Sequence, residues 1–209
     1  AAGAAPMPVA LLAWYRKLGL PINEGYGLTE NLAVSHLTLP GQNQEGTVGP
    51  VYEGVEARID AQTGEIQMRS PAVMTGYYRM PEQTRDAFSA DGWLRTGDKG
   101  QIDAQGRLRI TGRIKDLFKT SNGKYVAPAP IEDRLVMHDA VEACVVTGAN
   151  LGQPLGLAML NAEAATRVAD PKARAELAAS LQEHLRSINE SLDPHEQLAC
   201  LVVVSQAWS

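Results

Sequence analysis

The chain has 209 residues, 44% of them apolar, and its 24 acidic and 19 basic side chains leave a formal net charge of -5. That apolar share supplies real cores for one large domain or two small ones, which excludes a disordered tail. An acidic balance without a basic block leaves a nucleic-acid footprint and a polybasic membrane anchor unsupported, and peripheral membrane association is not encoded in this stretch.

No apolar run approaches the roughly 18–20 residues of a membrane span, and the chain begins with Ala and no charged-then-apolar leader. Pro6 and Pro8 can open a helix, in which Leu11, Leu12, Tyr15 and Leu18 recur at helical spacing until Gly19 ends it. A short strand is expected at residues 20–23. One helix and one strand cannot cover both faces of a sheet, so this stretch is expected to belong to a larger α/β sheet, and the chain to a longer protein.

The motif GYGLTE follows at 25–30. Gly25 and Gly27 let the backbone approach a flat ligand closely, and Tyr26 offers a ring for a purine. Thr29 beside Glu30 sets a hydroxyl next to a carboxylate, a pairing suited to phosphate and Mg²⁺. A plain Gly-Tyr-Gly turn with a capping Thr-Glu accounts for the same six residues, and they leave both readings open.

From residue 46 to 113 the chain turns to short β segments punctuated by Gly, Pro and Asp. Residues 55–59 and 64–68 alternate, and 108–110 close a meander through the turn at 103–106. A small distorted β-barrel fits this texture. Tyr77 and Tyr78 are expected to pack, and Arg85 with Asp86 to lie on a solvated helix face. RTGDKG at 95–100 is expected in a loop. Its Asp98 can accept hydrogen bonds from two vicinal hydroxyls such as those of a ribose, or serve as an Asx-turn residue. Arg113 is a second candidate for the ribose.

Beyond Lys115 a second small domain is expected. Residues 119–120 and 123–126 suit a hairpin around Ser121-Asn122, with Asn and Gly taking positive φ. Pro128 and Pro130 open a helix marked by Ile131, Leu135 and Val136, and strands are expected at 141–146 and 155–160. The longest helix carries Leu177, Leu181, Leu185, Ile188 and Leu192 on one face, with Pro194 past its end, before a last buried strand at 198–204. Cys144 and Cys200 lie in apolar runs, so two buried thiols in a reducing cytoplasm are expected rather than a disulfide or a metal site. His184 and His195 have no partner at ligand spacing and are expected at the surface. The fold class is α+β, with a β-barrel-like remnant of a large N-terminal domain over 1–114. A small C-terminal α+β lid, with a three-stranded sheet and a β-hairpin, takes 115–209.

GYGLTE, RTGDKG and the run TGRIKDLFKTSNGKYVAPAPIE at 111–132 occur in this order. Together they resemble the distal half of the adenylate-forming (AMP-binding) superfamily, and the KTSNGKYVAP run resembles its long-chain fatty acyl-CoA synthetases. The resemblance spans nearly the whole chain. It implies that a carboxylic acid attacks the α-phosphorus of ATP, with Mg²⁺, to give acyl-AMP and pyrophosphate. The small domain then turns about a hinge, and the thiol of coenzyme A takes the acyl group. On this resemblance Gly25, Tyr26 and Gly27 line the adenine, and Asp98 and Arg113 share the ribose. Thr29 meets phosphate, Glu30 binds the metal, and Lys115 is the hinge. Gly123 and Lys124 line the coenzyme A route, with Lys119 and Lys124 set to meet its phosphates or to stand as solvated lysines.

The implied partners are small molecules: a fatty acid, ATP and coenzyme A. The superfamily's Ser/Thr/Gly-rich phosphate loop is not in this sequence. No Lys follows Lys172, whereas the resemblance places a catalytic lysine near the end of the lid, so the chain alone is expected to be inactive. Asn122 stands where many relatives have Gly, and is expected to tolerate the left-handed conformation. Two competing readings are an enzyme that loads a carrier protein or oxidises the adenylate, and a non-catalytic nucleotide-binding module. The run from Lys119 to Pro130 favours the acyl-CoA class.

Overall fold

The computed structural model describes Met7 and residues 9–204. The chain divides into two compact units, 1–115 and 116–209.

In the first unit, α1 (Val9–Lys17) stops where Gly19 takes φ +75 and donates its N–H to Arg16 O at 2.9 Å. Pro6 and Pro8, expected to open this helix, lie outside the described residues. Leu12 is buried, whereas Leu11 and Leu18 are exposed. The strand expected at 20–23 does not form. Pro21 removes a ladder N–H there, and pairing begins later, with β1 (Gly25–Tyr26) antiparallel to β2 (His36–Leu37).

Next come β3 (Glu56–Ile59), β4 (Glu65–Arg69), α2 (Pro81–Asp86), β5 (Leu94–Ile102) and β6 (Leu108–Arg113). The four strands form an antiparallel sheet in the order β3-β4-β5-β6. Ile66, Met68 and Leu108 are its fully buried centre, with Tyr26, Val48, Ile59 and Ile110 packed against them. The ladder continues past β6. Val48 N–H donates to Leu108 O at 2.8 Å, Pro50 bridges Arg107, and Val51 bridges His36 on β2. One curling ladder therefore joins β3 to β1, which is the barrel-like arrangement, and it carries the 25–30 motif to the same core as β4 and β6. Tyr77 and Tyr78 do not pack as expected: both are exposed, Tyr78 at 83%. Arg85 and Asp86 do lie on a solvated helix, since α2 buries no residue.

In the second unit, β7 (Phe118–Lys119) and β8 (Tyr125–Val126) form the hairpin, with shorter strands and a longer tip than expected. Then follow α3 (Ala129–Leu135), β9 (Val141–Thr147), β10 (Leu155–Leu160), α4 (Ala162–Arg167), α5 (Pro171–Asn189) and β11 (Leu201–Val204). The sheet order is β11-β10-β9, with β10 antiparallel to β9 and parallel to β11. Asp170 caps α5 by accepting from Ala173 N–H at 3.1 Å, and Asn161 caps α4 by accepting from Ala164 N–H at 2.9 Å. Leu181 and Ile188 of α5 are buried in two adjoining clusters. Leu177 packs on one, and Leu185 and Leu192 on the other.

The last strand is not buried as expected. It is an edge of the sheet, and Val202 and Val203 are each 43% exposed. For the same reason Cys200, just ahead of it, is exposed, while Cys144 on β9 is half-buried; both thiols are free. His184 and His195 are both half-buried rather than at the surface, and the His184 ring lies edge-on to His138 at 5.2 Å between centroids. Among the described residues no helix is long and apolar enough to cross a membrane.

Candidate functional site

The site in the first unit is built on a tight turn. Leu28 N–H donates to Asn31 Oδ1 at 2.8 Å, and Leu28 O accepts from Ala33 N–H at 2.8 Å. Asn31 is 1% exposed, and its amide reaches Met68 Sδ at 3.1 Å, which pins the turn to the core. Leu32 and Ala33 both take left-handed backbone, at φ 55 and 58. Left-handed non-glycine residues cost about 1–3 kcal/mol each and gather at functional sites. Gly27 is the position that lets the turn close. A Cβ there would meet the Ala33 backbone at 2.4 Å. The outcome is a short 3₁₀ turn over Thr29–Asn31 with Thr29 exposed and Glu30 half-buried.

Three of the residues singled out in the sequence meet at one carboxylate. The Tyr26 hydroxyl donates to Asp98 Oδ2 at 2.7 Å, and Arg113 Nε donates to Asp98 Oδ1 at 2.9 Å. Asp98 is 8% exposed. It is neither in a loop nor an Asx-turn residue, as the sequence had suggested. It lies in β5, directly opposite Arg113 in β6. The strand is bulged there, because Gly97 takes φ +74 and Thr96 Oγ1 bonds both Ile66 O, at 2.8 Å, and Asp98 N–H, at 3.1 Å. Buried Glu65 accepts from Gly97 N–H at 3.0 Å and from Arg95 Nε at 3.1 Å, which holds the bulge from behind. Burial, and then donation to Asp98, pushes the Tyr26 hydroxyl well above the ordinary tyrosine range, so it remains a donor.

The donor set fits the groups that the motifs imply. Each Asp98 oxygen accepts one bond and keeps lone-pair capacity for a diol. The terminal nitrogens of Arg113 are unengaged among the described residues. Glu30 Oε1 accepts from the Tyr77 hydroxyl at 2.8 Å, while Oε2 and the Thr29 hydroxyl have no partner among the described residues. A carboxylate and a hydroxyl are the hard oxygen donors that Mg²⁺ takes. Gly25 lies in β1 opposite Leu37, its position for a Cβ 3.3 Å from Leu37 Cδ1.

Lys115 is exposed, in the 3₁₀ turn Ile114–Asp116 that follows β6, and it is the last residue of the first unit.

The second unit carries the hairpin tip. Gly123 takes φ +79 and its N–H donates to Thr120 O at 2.9 Å. Asn122 does not take the left-handed conformation expected of it. Its side chain instead donates to Gly152 O at 3.2 Å, and the left-handed asparagine is Asn150, at φ 64. Asn150 N–H donates to Lys119 O, and Leu151 O accepts from Ser121 N–H, each at 2.9 Å, so residues 150–152 brace the tip. Lys119 and Lys124 are both exposed.

Sequence reasoning missed Asn31, Thr96, Glu65 and Tyr77. An Asn directly after Thr-Glu was a usable signal, since a short amide side chain readily caps its own turn. No local signal marked Tyr77, whose partner is distant in the chain. His36 was missed as well. It is 1% exposed, and burial lowers its pKa to about 4.

A family model described as AMP-binding enzyme matches residues 1–78, and one described as AMP-binding enzyme C-terminal domain matches residues 115–207. In a 226-residue alignment the chain is 33% identical to the protein of Mycobacterium tuberculosis named as fatty-acid–CoA ligase fadD11, which takes in 99% of this chain and 38% of that one. It is 42% identical over 146 residues to the long-chain-fatty-acid–CoA ligase FadD15 of Mycobacterium bovis, over 70% of this chain and 24% of that one. The O-succinylbenzoate coenzyme A synthetase of Bacillus subtilis, in complex with ATP and magnesium ion, matches with a TM-score of 0.76 at 26% identity, over 98% of this chain and 42% of that one. The chain thus spans less than half the length of each of these proteins.

Proposed function

Because the chain belongs to the adenylate-forming AMP-binding enzyme family, we propose that the protein joins a carboxylic acid, of the long-chain fatty class, to coenzyme A by way of an acyl-adenylate. The observation that carries this reading is the carboxylate of Asp98. It is buried, ordered from two sides by Tyr26 and Arg113, and shares its unit with the exposed Thr29 hydroxyl and the open oxygen of Glu30.

In this proposal Gly25, Tyr26 and Gly27 border the adenine, and Asp98 with Arg113 holds the ribose of ATP. Thr29 donates to a phosphate oxygen. Glu30 ligates Mg²⁺, which when bound offsets the charge that develops on the phosphates. Orienting the nucleotide before reaction is the main contribution of these groups, because preorganised donors cost no reorganisation at the transition state. Lys115 is the pivot between the domain of residues 1–114 and the lid of residues 115–209. Gly123 and Lys124 line the approach of coenzyme A, where a glycine at the tip leaves room for a narrow thiol arm.

The test is pyrophosphate release by the full-length protein against a panel of carboxylic acids, with and without coenzyme A. Release that needs both ATP and an acid, strongest with long-chain acids and turning over only with coenzyme A, is the expected result. Nucleotide binding without release under any acid would overturn the proposal. The 209-residue chain alone is expected to release none.

A further inference from the structure

Glu30 is held by a segment far along the chain. Met74 N–H donates to Glu30 O at 2.7 Å, and the Tyr77 hydroxyl donates to Glu30 Oε1 at 2.8 Å, across 47 residues of sequence. The holding segment is itself fixed. Tyr77 N–H donates to Thr84 Oγ1 at 2.9 Å, and Thr84 donates to Met80 O at 2.7 Å, which ties Tyr77 to α2. Gly76, at φ +154, passes so close to this helix that a Cβ would lie 2.7 Å from Thr84 Cγ2. Tyr77 is 36% exposed and belongs to none of the buried apolar clusters among the described residues, so core packing does not fix where its hydroxyl points. Among the described residues the one hydrogen-bond partner of its hydroxyl is the Glu30 carboxylate.

A glutamate side chain has three rotatable bonds, and freezing them on ligand binding works against affinity. A phenol that occupies one lone pair of Oε1 restricts the carboxylate and leaves Oε2 without a partner among the described residues. Carboxylates that ligate metals are commonly oriented by such a hydrogen bond, and losing the partner weakens metal binding by about 10–100-fold.

We infer that Tyr77 is a positioning residue, whose O–H presents the Glu30 carboxylate to the divalent cation that accompanies the nucleotide phosphates. The inference rests on the proposed role of Glu30, and the experiment separates the two. In the full-length protein, ATP binding is measured by calorimetry across a Mg²⁺ titration and again in EDTA, for the wild type, Tyr77→Phe, Glu30→Gln and the double variant. Tyr77→Phe is expected to raise the Mg²⁺ concentration at half effect about 10–100-fold, with AMP binding and metal-free ATP binding within twofold of the wild type. In the Glu30→Gln background the same substitution is expected to change the Mg²⁺ dependence by less than about twofold, because the carboxylate it orients is gone. If Glu30→Gln weakens the Mg²⁺ effect but Tyr77→Phe leaves it intact, the inference falls and the role of Glu30 stands. If Tyr77→Phe weakens metal-free ATP and Mg²⁺-ATP equally, Tyr77 is only structural and the inference falls. If Glu30→Gln leaves the Mg²⁺ dependence unchanged, both fall.

Discussion

Truncating Asp98 to alanine removes one carboxylate that serves two donors and, on the proposed function, a ribose. The structure sets the size of each effect. Arg113 is 49% exposed at its side chain and can turn to water, so its loss of a partner costs little. The Tyr26 hydroxyl is half-buried, and without its acceptor it costs roughly 1–3 kcal/mol of stability. The nucleotide loses a charge-assisted hydrogen bond worth about 1.5–3 kcal/mol, which corresponds to about 10–150-fold in Kd. Calorimetric titration of the full-length Asp98→Ala protein with ATP and with 2′-deoxy-ATP reads both consequences. ATP should bind at least about tenfold more weakly, and the preference for ribose over deoxyribose should shrink. A melt of the same sample guards against a merely unfolded variant. ATP affinity within about twofold of wild type, with the ribose preference intact, would falsify the assignment.

Four further outcomes are expected. Lys115→Pro should still form acyl-AMP in single turnover but transfer it slowly to coenzyme A, since proline fixes φ near -65° and removes an N–H. Wild-type transfer, or both half-reactions falling together with the melting temperature, would end the hinge assignment. Gly27→Ala should destabilise the fold by about 1–3 kcal/mol and weaken Mg²⁺-ATP, because its Cβ collides with the Ala33 backbone; an unchanged denaturation midpoint would show that the turn has slack. The folded-state pKa of His36 is lowered to about 4, below the ordinary value near 6.5, so the unfolded chain binds more protons in between. The contribution of neutral His36 to stability should therefore be full above about pH 6.5 and fall as pH drops towards 4. About 2 kcal/mol of that loss comes by pH 5. Denaturant melts at pH 7 and 5 check it, and His36→Gln should have the flatter dependence. Iodoacetamide at neutral pH should label exposed Cys200 and leave Cys144 unmodified by mass spectrometry, because burial pushes the Cys144 thiol up to about 12; equal labelling would contradict this.

Local patterns carried much of the second unit. Leu177, Leu181, Leu185 and Ile188 outline α5 because a helix repeats its buried face every three or four residues, and β9 and β10 stand out as apolar runs between turns. The same patterns misled where burial depends on neighbours. The run from Leu198 onward is apolar enough for a central strand, but β11 is an edge, and sequence composition does not record which strand lies outermost.

In the first unit the motif residues were legible by type, and their geometry was not. Asp98 was assigned a loop because it follows Gly97, whereas a glycine at positive φ also suits a bulge inside a strand. That it lies opposite Arg113 depends on strand register, which is set by pairing across the sheet. The contact of Tyr77 with Glu30 joins two segments that have no periodic relation, so only the folded chain brings them together.

On the proposed function an acyl-adenylate forms at this site and is passed to a thiol. Rapid quench of the full-length protein with ATP, Mg²⁺ and a long-chain fatty acid, followed by mass spectrometry, tests it directly. Without coenzyme A, acyl-AMP should accumulate to about one equivalent per site, with pyrophosphate as the other product. Adding coenzyme A should convert it to acyl-CoA and AMP within one turnover. Formation of ADP and phosphate in place of AMP and pyrophosphate, or acyl-CoA appearing with no adenylate before it, would contradict the account.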